Sequence, residues 1–293
     1  MNAPLHSMPH QHSKSSIGAI LVDAGRLSLD DAERILRLQR EAGLRFGDAA
    51  RRLKLVSDED IEYALAQQFD YPYLALGQSA IEPSVVAAYA PFSTAVERLR
   101  ALRSQLLLRG VGAGADDQEA RKSIAITSVS RGDGRSWISA NLAIVFAQLG
   151  HRVLLVDANL RQPGLHRIFG LEDKLGLSSV LAGRAGTEAI QRVADLPGIS
   201  VLPAGAQPPN PQELLSRPRF AELLAGAKTA WDLVIIDTPA AEDFADAYAV
   251  AKQAGTALMV ARKDVTHSRS VAALSEGIQN VGASLVGAVV NER

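Results

Sequence analysis

A short segment with two glycines, placed between an apolar run and a helical pattern, constrains the fold of this chain more than any other feature. Residues 124–129, I-A-I-T-S-V, are mostly apolar and rich in β-branched side chains. After a loop with Gly132 and Gly134, apolar residues recur at helical spacing until Gly150. A strand, a tight loop and a helix in this order turn backbone N–H groups inward and add the positive end of a helix dipole. The segment therefore predicts a binding site for a di- or triphosphate.

The first residues of this helix match a phosphate-binding loop imperfectly. The pattern G-x-x-x-x-G-K-[ST] has lysine where this chain has Arg135. Arginine keeps the positive charge but is a broader, forked donor, so we expect it to reach the β- and γ-phosphates at a different angle or to fill part of the nucleotide space. Ser136 keeps the hydroxyl that would ligate Mg²⁺. An ordinary glycine-containing turn is the alternative that this motif alone leaves open.

Two apolar runs later in the chain each end in an acid, at Asp157 and Asp237. Such near-continuous apolar runs are expected for parallel strands that are covered on both faces. Further strands are expected around Val201, near 256–262 and near 284–291, with helical stretches between them. The alternation predicts an α/β fold with a doubly wound parallel sheet of the P-loop NTPase kind, whose ligands bind at the carboxyl ends of the strands.

The predicted site brings the glycine loop together with two strand-end acids. Ser136, Asp157 and Asp237 are the candidate Mg²⁺ ligands, and ATP is the expected nucleotide. Asp157 lies where it could accept a proton from an attacking hydroxyl, which makes Asp157, Arg135 and Asp237 the candidate catalytic residues. Either acid alone is also compatible with a simple strand-end cap. The predicted nucleotide contacts are Gly132, Asp133, Gly134, Arg135, Ser136, Trp137 and Asn291.

Length and composition exclude several classes of protein. The 293 residues allow about two domains, and 47% hydrophobic residues can bury a sizeable core. Thirty-one basic and 32 acidic side chains nearly balance, which argues against a nucleic-acid partner. The absence of cysteine excludes disulfides and thiolate metal sites and suits a reducing cytoplasm. No apolar run approaches the roughly 18 residues of a membrane span, so we expect a soluble chain that can still dock on a membrane protein.

The first part of the chain repeats itself. Residues 16–39 align with residues 45–68 at a constant offset of 29 positions. Each unit predicts two short helices, with Ser28 and Ser57 as N-caps followed by acids in the first turn. The pair predicts one small all-helical domain. The expected division of the chain is a disordered tail at 1–15, a helical repeat domain at 16–76, a linker at 77–91 and a nucleotide-binding domain at 92–293.

This repeat resembles the N-terminal domain of type II secretion and pilus-assembly ATPases, in which two 24-residue motifs can hold cyclic di-GMP. The resemblance implies cyclic di-GMP as a ligand of this domain. Ser16 stands where that family has its leading arginine, and Lys54 where it has a mid-motif glycine. A docking or scaffolding domain without nucleotide is the alternative.

The second part of the chain resembles the cytoplasmic kinase domain of bacterial tyrosine kinases of the polysaccharide co-polymerase type. The whole chain resembles the exopolysaccharide chain-length-determinant kinases that carry an extra N-terminal domain. The resemblance implies an ATP-dependent protein-tyrosine kinase that acts in exopolysaccharide polymerisation and export, with a membrane co-polymerase as its partner. It also implies a cytoplasmic location at the inner membrane through that partner. The matching segments are G-D-G-R-S (132–136), L-L-V-D-A-N-L-R-Q-P (154–163), V-I-I-D-T-P (234–239), G-L-S-S-V-L-A-G (176–183) and L-P-A-G-A-Q-P-P-N-P-Q-E-L-L (202–215).

A charged stripe on an early helix fits the same family. Glu97, Arg100 and Arg103 are three residues apart, which places them on neighbouring turns of one helix face. They match the family's E-x-x-R-x-x-R oligomerisation motif, which implies a ring whose members phosphorylate one another. A solvated charged face is the alternative.

Three features depart from the kinase pattern. Arg135 replaces the usual lysine, Asn159 stands where the family has a second aspartate, and the sequence ends at N-E-R without a tyrosine cluster. We therefore expect the acceptor tyrosine to be one of the chain's five, with Tyr71 and Tyr73 as candidates, or to lie on another protein.

Two other functions are compatible with the sequence. The chain can be a nucleotide-sensing adaptor of the polysaccharide machinery whose chemistry is lost through Arg135 and Asn159. It can also be an ATPase of the partition or septum-placement type. That class is disfavoured because its loop carries an additional lysine near the position of Arg131 and because it lacks the N-P-x-E-L-L segment.

Overall fold

A computed structural model describes residues 16–69, 71, 74–112 and 121–292 of the chain. The chain divides into two compact units, Met1–Tyr73 and Leu74–Arg293. The tail predicted at residues 1–15 lies outside the described residues.

Four helices form the described part of the first unit, and their positions reproduce the repeat in the sequence. Ser28 accepts a hydrogen bond from the Asp31 backbone N–H, and Ser57 forms a capping box with Asp60, so both predicted N-caps are confirmed. The apolar side chains of the two repeats share one core that includes Leu21. The helices are α1 (Ile17–Asp23), α2 (Leu29–Ala42), α3 (Phe46–Arg52) and α4 (Asp58–Gln68).

The two repeats also share an unusual backbone turn. Gly25 and Lys54 occupy equivalent positions after the first helix of each repeat, and both have positive φ, +68° and +56°. Glycine adopts this conformation readily, whereas a side chain with a Cβ is strained there. The backbone geometry of the repeat is therefore kept at Lys54 although the residue type has changed.

The second unit alternates strands and helices. Its helices are α5 (Val86–Tyr89), α6 (Thr94–Leu107), α7 (Arg135–Ala147), α8 (Leu165–Ile168), α9 (Leu177–Leu181), α10 (Pro211–Leu215), α11 (Pro218–Ala230), α12 (Asp246–Ala254) and α13 (Ser268–Asn280), and a 3₁₀ turn spans Thr187–Ala189. Its strands are β1 (Ser123–Ser128), β2 (Val153–Asp157), β3 (Gln191–Arg192), β4 (Ile199–Leu202), β5 (Leu233–Asp237), β6 (Thr256–Arg262) and β7 (Ser284–Asn291).

The strands form one sheet in the order β3-β4-β2-β5-β1-β6-β7. All neighbouring strands run parallel except β3, which pairs antiparallel with β4. Apolar clusters cover both faces of the sheet, and every residue of β1, β2 and β5 is buried. This confirms the predicted α/β fold with its doubly wound sheet. The two-residue edge strand β3 is too short to leave a periodic signal in the sequence.

The segment predicted to be a linker, residues 77–91, packs against the α/β unit instead. Ile81 and Val85 are buried in the same cluster as the central strands. The backbone N–H of Ala87 donates to the side-chain oxygen of Asn141 on α7 at 2.9 Å. The prediction was wrong because the prolines and the glycine of this stretch suggested an exposed connection. Buried apolar side chains and a buried amide partner fix it to the sheet layer.

Among the helices that the structure describes, none is both long enough and apolar enough to cross a membrane.

Candidate active site

The glycine loop between β1 and α7 has a backbone that only glycine fits at one position. Gly132 and Gly134 have φ of +83° and +101°. A Cβ on Gly134 would overlap the side-chain amide of Asn291, which comes from the end of β7. The amide nitrogen of Asn291 donates to the backbone carbonyl of Asp133 at 3.0 Å. The predicted nucleotide contact Asn291 therefore lies against the loop and holds its shape.

The Asp133 side chain stabilises the loop from within. It is buried, and its Oδ2 accepts a hydrogen bond from the Ser130 backbone N–H at 2.9 Å. Its Oδ1 accepts a hydrogen bond from the Thr266 hydroxyl at 3.0 Å. Because both carboxylate oxygens have partners in the protein, the backbone N–H of Asp133, rather than its side chain, is the group suited to contact phosphate.

The guanidinium of Arg135 is buried between the loop and the end of β5. Its Nε donates to the carbonyl of Thr238 and its Nη1 to the carbonyl of Ser130, both at 2.9 Å, and Nη1 also contacts the Ser128 hydroxyl. Burial lowers the pKa of Arg135, and the nearby Asp237 and Asp133 act in the opposite direction. In this conformation the cation stabilises the loop and the end of β5. That it reaches the β- and γ-phosphates at a different angle or fills part of the nucleotide space stays a prediction.

Ser136 and Asp237 lie together at the start of α7. The Ser136 hydroxyl donates to Asp237 Oδ2 at 2.5 Å, and the Ser139 hydroxyl donates to Asp237 Oδ1 at 3.2 Å. Burial raises the pKa of Asp237, and Arg135 and the two hydroxyls oppose that rise. A hydroxyl and a carboxylate are hard oxygen donors of the kind Mg²⁺ prefers, so this pair fits a magnesium ion bound with a nucleotide.

Asp157 lies beside Asp237 because the two are register partners in the ladder between β2 and β5. The backbone N–H of Asn159 donates to Asp157 Oδ1 at 3.1 Å, and those of Gly164 and Leu165 donate to Oδ2 at 2.9 and 3.0 Å. Burial and then the charge of Asp237 raise the pKa of Asp157 to about 7, against these three hydrogen bonds. The carboxyl group is thus held in place and can change protonation near neutral pH.

Trp137 lies on α7, and its side chain contacts the segment before α5. Its indole N–H donates to the carbonyl of Ser84 at 2.7 Å. Together with Asn291 it borders a cavity of about 260 Å³ whose other walls come from α6 and the end of β7. Trp137 and Asn291 are therefore on the same side of the loop.

The charged stripe on α6 is partly used within the chain. Glu97 forms an ion pair with Arg100, and Nη1 of Arg103 donates to the carbonyl of Val145 on α7 at 2.5 Å. The structure places all three residues on α6.

Sequence reasoning missed several residues that hold the site. The Thr238 hydroxyl donates to the carbonyl of Ile126 at 2.9 Å and so joins the ends of β5 and β1. Ser139 follows Ser136 by one helical turn, a spacing that was visible in the sequence. Thr266 comes from the loop after β6, and no local pattern connects it with Asp133.

The sequence and fold of this chain are similar to those of known proteins. The profile described as "Cellulose biosynthesis protein BcsQ" matches residues 121–277. Tyrosine-protein kinase YwqD of Bacillus subtilis is 37% identical over 213 residues, which are 73% of this chain and 87% of that protein. The chain belongs to the family of bacterial tyrosine-protein kinases. The kinase domain of the Escherichia coli tyrosine kinase ETK is 33% identical with a TM-score of 0.68, over 74% of this chain and 84% of that domain.

Other members of the tyrosine-kinase family are much longer than this chain. Tyrosine-protein kinase wzc of Salmonella typhimurium is 36% identical over 211 residues, which are 72% of this chain but 28% of that protein. The family resemblance of the second unit is thus confirmed. None of the relatives named here is a secretion ATPase, so the resemblance of the N-terminal repeat to that class rests on the sequence alone.

A more distant structure bears on the ligand. The septum site-determining protein MinD of Pyrococcus horikoshii, solved in complex with Mg-ADP, is 25% identical with a TM-score of 0.52, over 58% of this chain and 70% of that protein. The fold of the second unit is therefore shared with a protein that holds a magnesium nucleotide.

Proposed function

We propose that this chain is an ATP-dependent protein-tyrosine kinase that regulates exopolysaccharide polymerisation and chain length. The observation that carries the proposal is the register pairing of Asp157 with Asp237 beside a loop that requires glycine at position 134. Membership in the bacterial tyrosine-protein kinase family supports the choice of tyrosine as acceptor. The polysaccharide role is supported by the match to a cellulose biosynthesis family.

The proposed roles follow from the positions of the side chains. Bound ATP with Mg²⁺ supplies the phosphoryl group, which is released from ADP and joined to the phenol oxygen. Ser136, Asp157 and Asp237 would hold the magnesium ion, which would neutralise charge on the phosphates. Asp157 also takes the proton from the tyrosine hydroxyl, which its raised pKa suits. Arg135 neutralises charge near the loop and keeps the two strand ends together.

Incubation with γ-labelled ATP and Mg²⁺ tests this function. We expect label on tyrosine for the wild type and at least a hundredfold slower transfer for Asp157→Asn. Asp195→Asn is a matched control, because this acid is exposed and lies in the connection before β4. No transfer by the wild type, or equal rates for the wild type and Asp157→Asn, would contradict the proposal.

The acceptor is proposed to be Tyr71 or Tyr73 of a second copy, or a tyrosine of another protein. Tyr89 is unsuitable because it is buried and its hydroxyl donates to the carbonyl of Ile81 at 2.6 Å. Tyr73 lies outside the described residues. Mass spectrometry of the chain after incubation with ATP identifies the site, and Tyr71→Phe and Tyr73→Phe test each candidate.

The second candidate function is a nucleotide-sensing adaptor. It is favoured by the engagement of Arg135 with Ser130 and Thr238, because these hydrogen bonds direct the cation to carbonyl groups of the protein. Asn159 also favours the adaptor, because it stands where the kinase family has a second aspartate. Nucleotide-dependent assembly without measurable phosphate transfer would favour the adaptor.

Assembly is proposed to involve Glu97, Arg100 and Arg103, with a membrane polysaccharide co-polymerase as partner and a cytoplasmic location at the inner membrane. In a ring, Glu97 would exchange its pairing with Arg100 for a cation of the neighbour. Sedimentation of the wild type and of Arg100→Glu in Mg-ATP tests this. Loss of the large species in the variant supports the motif, and unchanged sedimentation contradicts it.

Cyclic di-GMP is proposed as a ligand of the first unit. Both repeats contribute to a cavity of about 640 Å³, with Gln39 of one repeat and Phe46 of the other among its walls. Lys54 and Ser16 weaken the match to the nucleotide-binding pattern. Calorimetry of the full chain against high micromolar cyclic di-GMP decides between a nucleotide-binding and a docking domain.

A further inference from the structure

The loop after β5 spans the distance between the phosphate-binding loop and the loop that follows Asp157. At its start, the backbone N–H groups of Ala241 and Glu242 donate to the carbonyls of Ser128 and Val129 at 3.0 and 3.1 Å. The Ser130 hydroxyl donates to the Glu242 carboxylate at 2.9 Å. The beginning of this loop is therefore fixed to the segment that leads into the glycines.

The other end of the same loop is fixed to Arg161. Asp246 is fully buried and accepts two hydrogen bonds from the Arg161 guanidinium, from Nε at 2.7 Å and from Nη2 at 3.2 Å. The carbonyl of Arg161 accepts a hydrogen bond from the Gln207 side chain at 3.0 Å. Arg161 thus joins the loops that follow β2, β4 and β5, four residues beyond Asp157.

Phe244 lies between these two anchored ends. The Arg161 guanidinium covers one face of its ring, with Cζ 3.7 Å from the ring centroid, yet 39% of the residue remains exposed. An aromatic side chain that is supported by a guanidinium and partly exposed to solvent is suited to pack against a second ring.

The order of the strands indicates which loops lie next to Asp157 and so are near an acceptor hydroxyl. The phosphate-binding loop follows β1, Asp237 ends β5 and Asp157 ends β2. In the sheet these strands lie in the order β4-β2-β5-β1, so Asp157 lies between the phosphate-binding loop and the loop that follows β4. A hydroxyl that transfers its proton to Asp157 has to reach the end of β2, beside the loop that follows β4. The loops after β2, β4 and β5, which Arg161 joins, border this position.

We propose that Phe244, supported by Arg161, forms the binding position for the aromatic ring of the acceptor tyrosine. The inference rests on the proposed kinase function and adds the site that selects an aromatic acceptor. Arg161 acts as a positioning residue, because its guanidinium donates to Asp246 and its flat face packs against the Phe244 ring.

Two measurements on the full chain test the inference separately from the kinase function. The first is binding of a fluorescein-labelled Glu-Tyr copolymer to the protein in Mg-ADP, followed by anisotropy, with a Glu-Leu copolymer for comparison. The second is the rate of phosphate transfer to the Glu-Tyr copolymer. The variants are Phe244→Ala, Phe244→Leu and Phe244→Trp, and Leu149→Ala is the control because it removes an exposed apolar side chain just beyond the C-terminal end of α7.

We expect Phe244→Ala and Phe244→Leu to weaken binding of the tyrosine copolymer between about threefold and tenfold, the range that one aromatic pair contributes. The KM for this acceptor should rise by the same factor, while Phe244→Trp restores both. Mg-ADP affinity should change less than twofold, and Leu149→Ala should match the wild type.

The outcomes are distinguishable. Binding that depends on Phe244 without any phosphate transfer would contradict the kinase function and keep the aromatic site. Phosphate transfer by a wild type whose copolymer affinity and KM are unaffected by Phe244→Ala would overturn the inference alone. Equal affinity of the wild type for the Glu-Tyr and Glu-Leu copolymers would also overturn it.

Discussion

The Asn291 side-chain amide fills the space that a Cβ on Gly134 would need. Gly134→Ala adds a Cβ that both strains a left-handed backbone, at about 1–2 kcal/mol, and displaces Asn291. We expect at least a tenfold loss of Mg-ADP affinity by calorimetry, because the loop amides no longer converge.

Gly150→Ala separates strain from displacement. Gly150 has a similar φ of +94°, but no atom outside its chain neighbours lies within 4 Å of the added Cβ. This variant should lose a similar amount of stability and keep its nucleotide affinity. Equal affinities for the two glycine variants would show that Asn291 has no part in shaping the loop.

The buried acid Asp157 makes stability depend on pH. Its pKa is about 7 in the folded chain against 3.8 for an exposed aspartate, so between these values the folded state keeps a proton that the unfolded state has released. The free energy of unfolding should therefore fall as pH rises from about 4 to about 7, and Asp157→Asn should reduce this slope. Urea unfolding in EDTA between pH 5 and 8 measures it.

Asp195→Asn, which replaces an exposed acid, provides the comparison. Burial also raises the pKa of Asp237, so some slope from this acid should persist in Asp157→Asn. Parallel pH profiles for the wild type and Asp157→Asn would contradict the raised pKa.

At the scale of the elements, the turns after α1 and α3 offer a matched pair of substitutions. Lys54→Gly relieves a positive φ and should stabilise α3 and α4 by about 1 kcal/mol. Gly25→Ala introduces the same strain in the first repeat and should destabilise α1 and α2 by a similar amount. Hydrogen exchange of the full chain, followed by mass spectrometry, measures both. Unchanged protection in both variants would show that the turns do not limit opening.

The segment 77–91 shows why local signals fail for some elements. Prolines and a glycine predict a connection, and α5 is only four residues long. The Asn141 side chain, buried within α7, supplies the acceptor that the Ala87 backbone needs. Such a partner 54 residues away in sequence is invisible to any pattern of neighbours.

At the scale of the whole molecule, the two units have separate apolar cores. Both tryptophans of the chain, Trp137 and Trp231, belong to the second unit. Urea unfolding should therefore give different transitions by tryptophan fluorescence, which reports on the second unit, and by circular dichroism, which reports on the helices of both. Mg-ADP should shift the fluorescence transition upward.

Superimposable transitions by the two probes would show that the units unfold together. Lys54→Gly is a useful addition, since it should shift the dichroism signal and leave the fluorescence transition unchanged.

The sequence by itself determined the repeat, its N-caps, the parallel sheet and the loop with its two strand-end acids, because each depends on residue spacing along one segment. Only the tertiary structure decided that Arg135 is buried between the loop and the end of β5 and that residues 77–91 pack on the sheet layer. It also decided that Asn291 meets Gly134 and that Arg161 joins three loops beside Phe244. These features arise from atoms on segments far apart in the chain, and burial and hydrogen bonding between such segments leave no periodic trace in the order of residues.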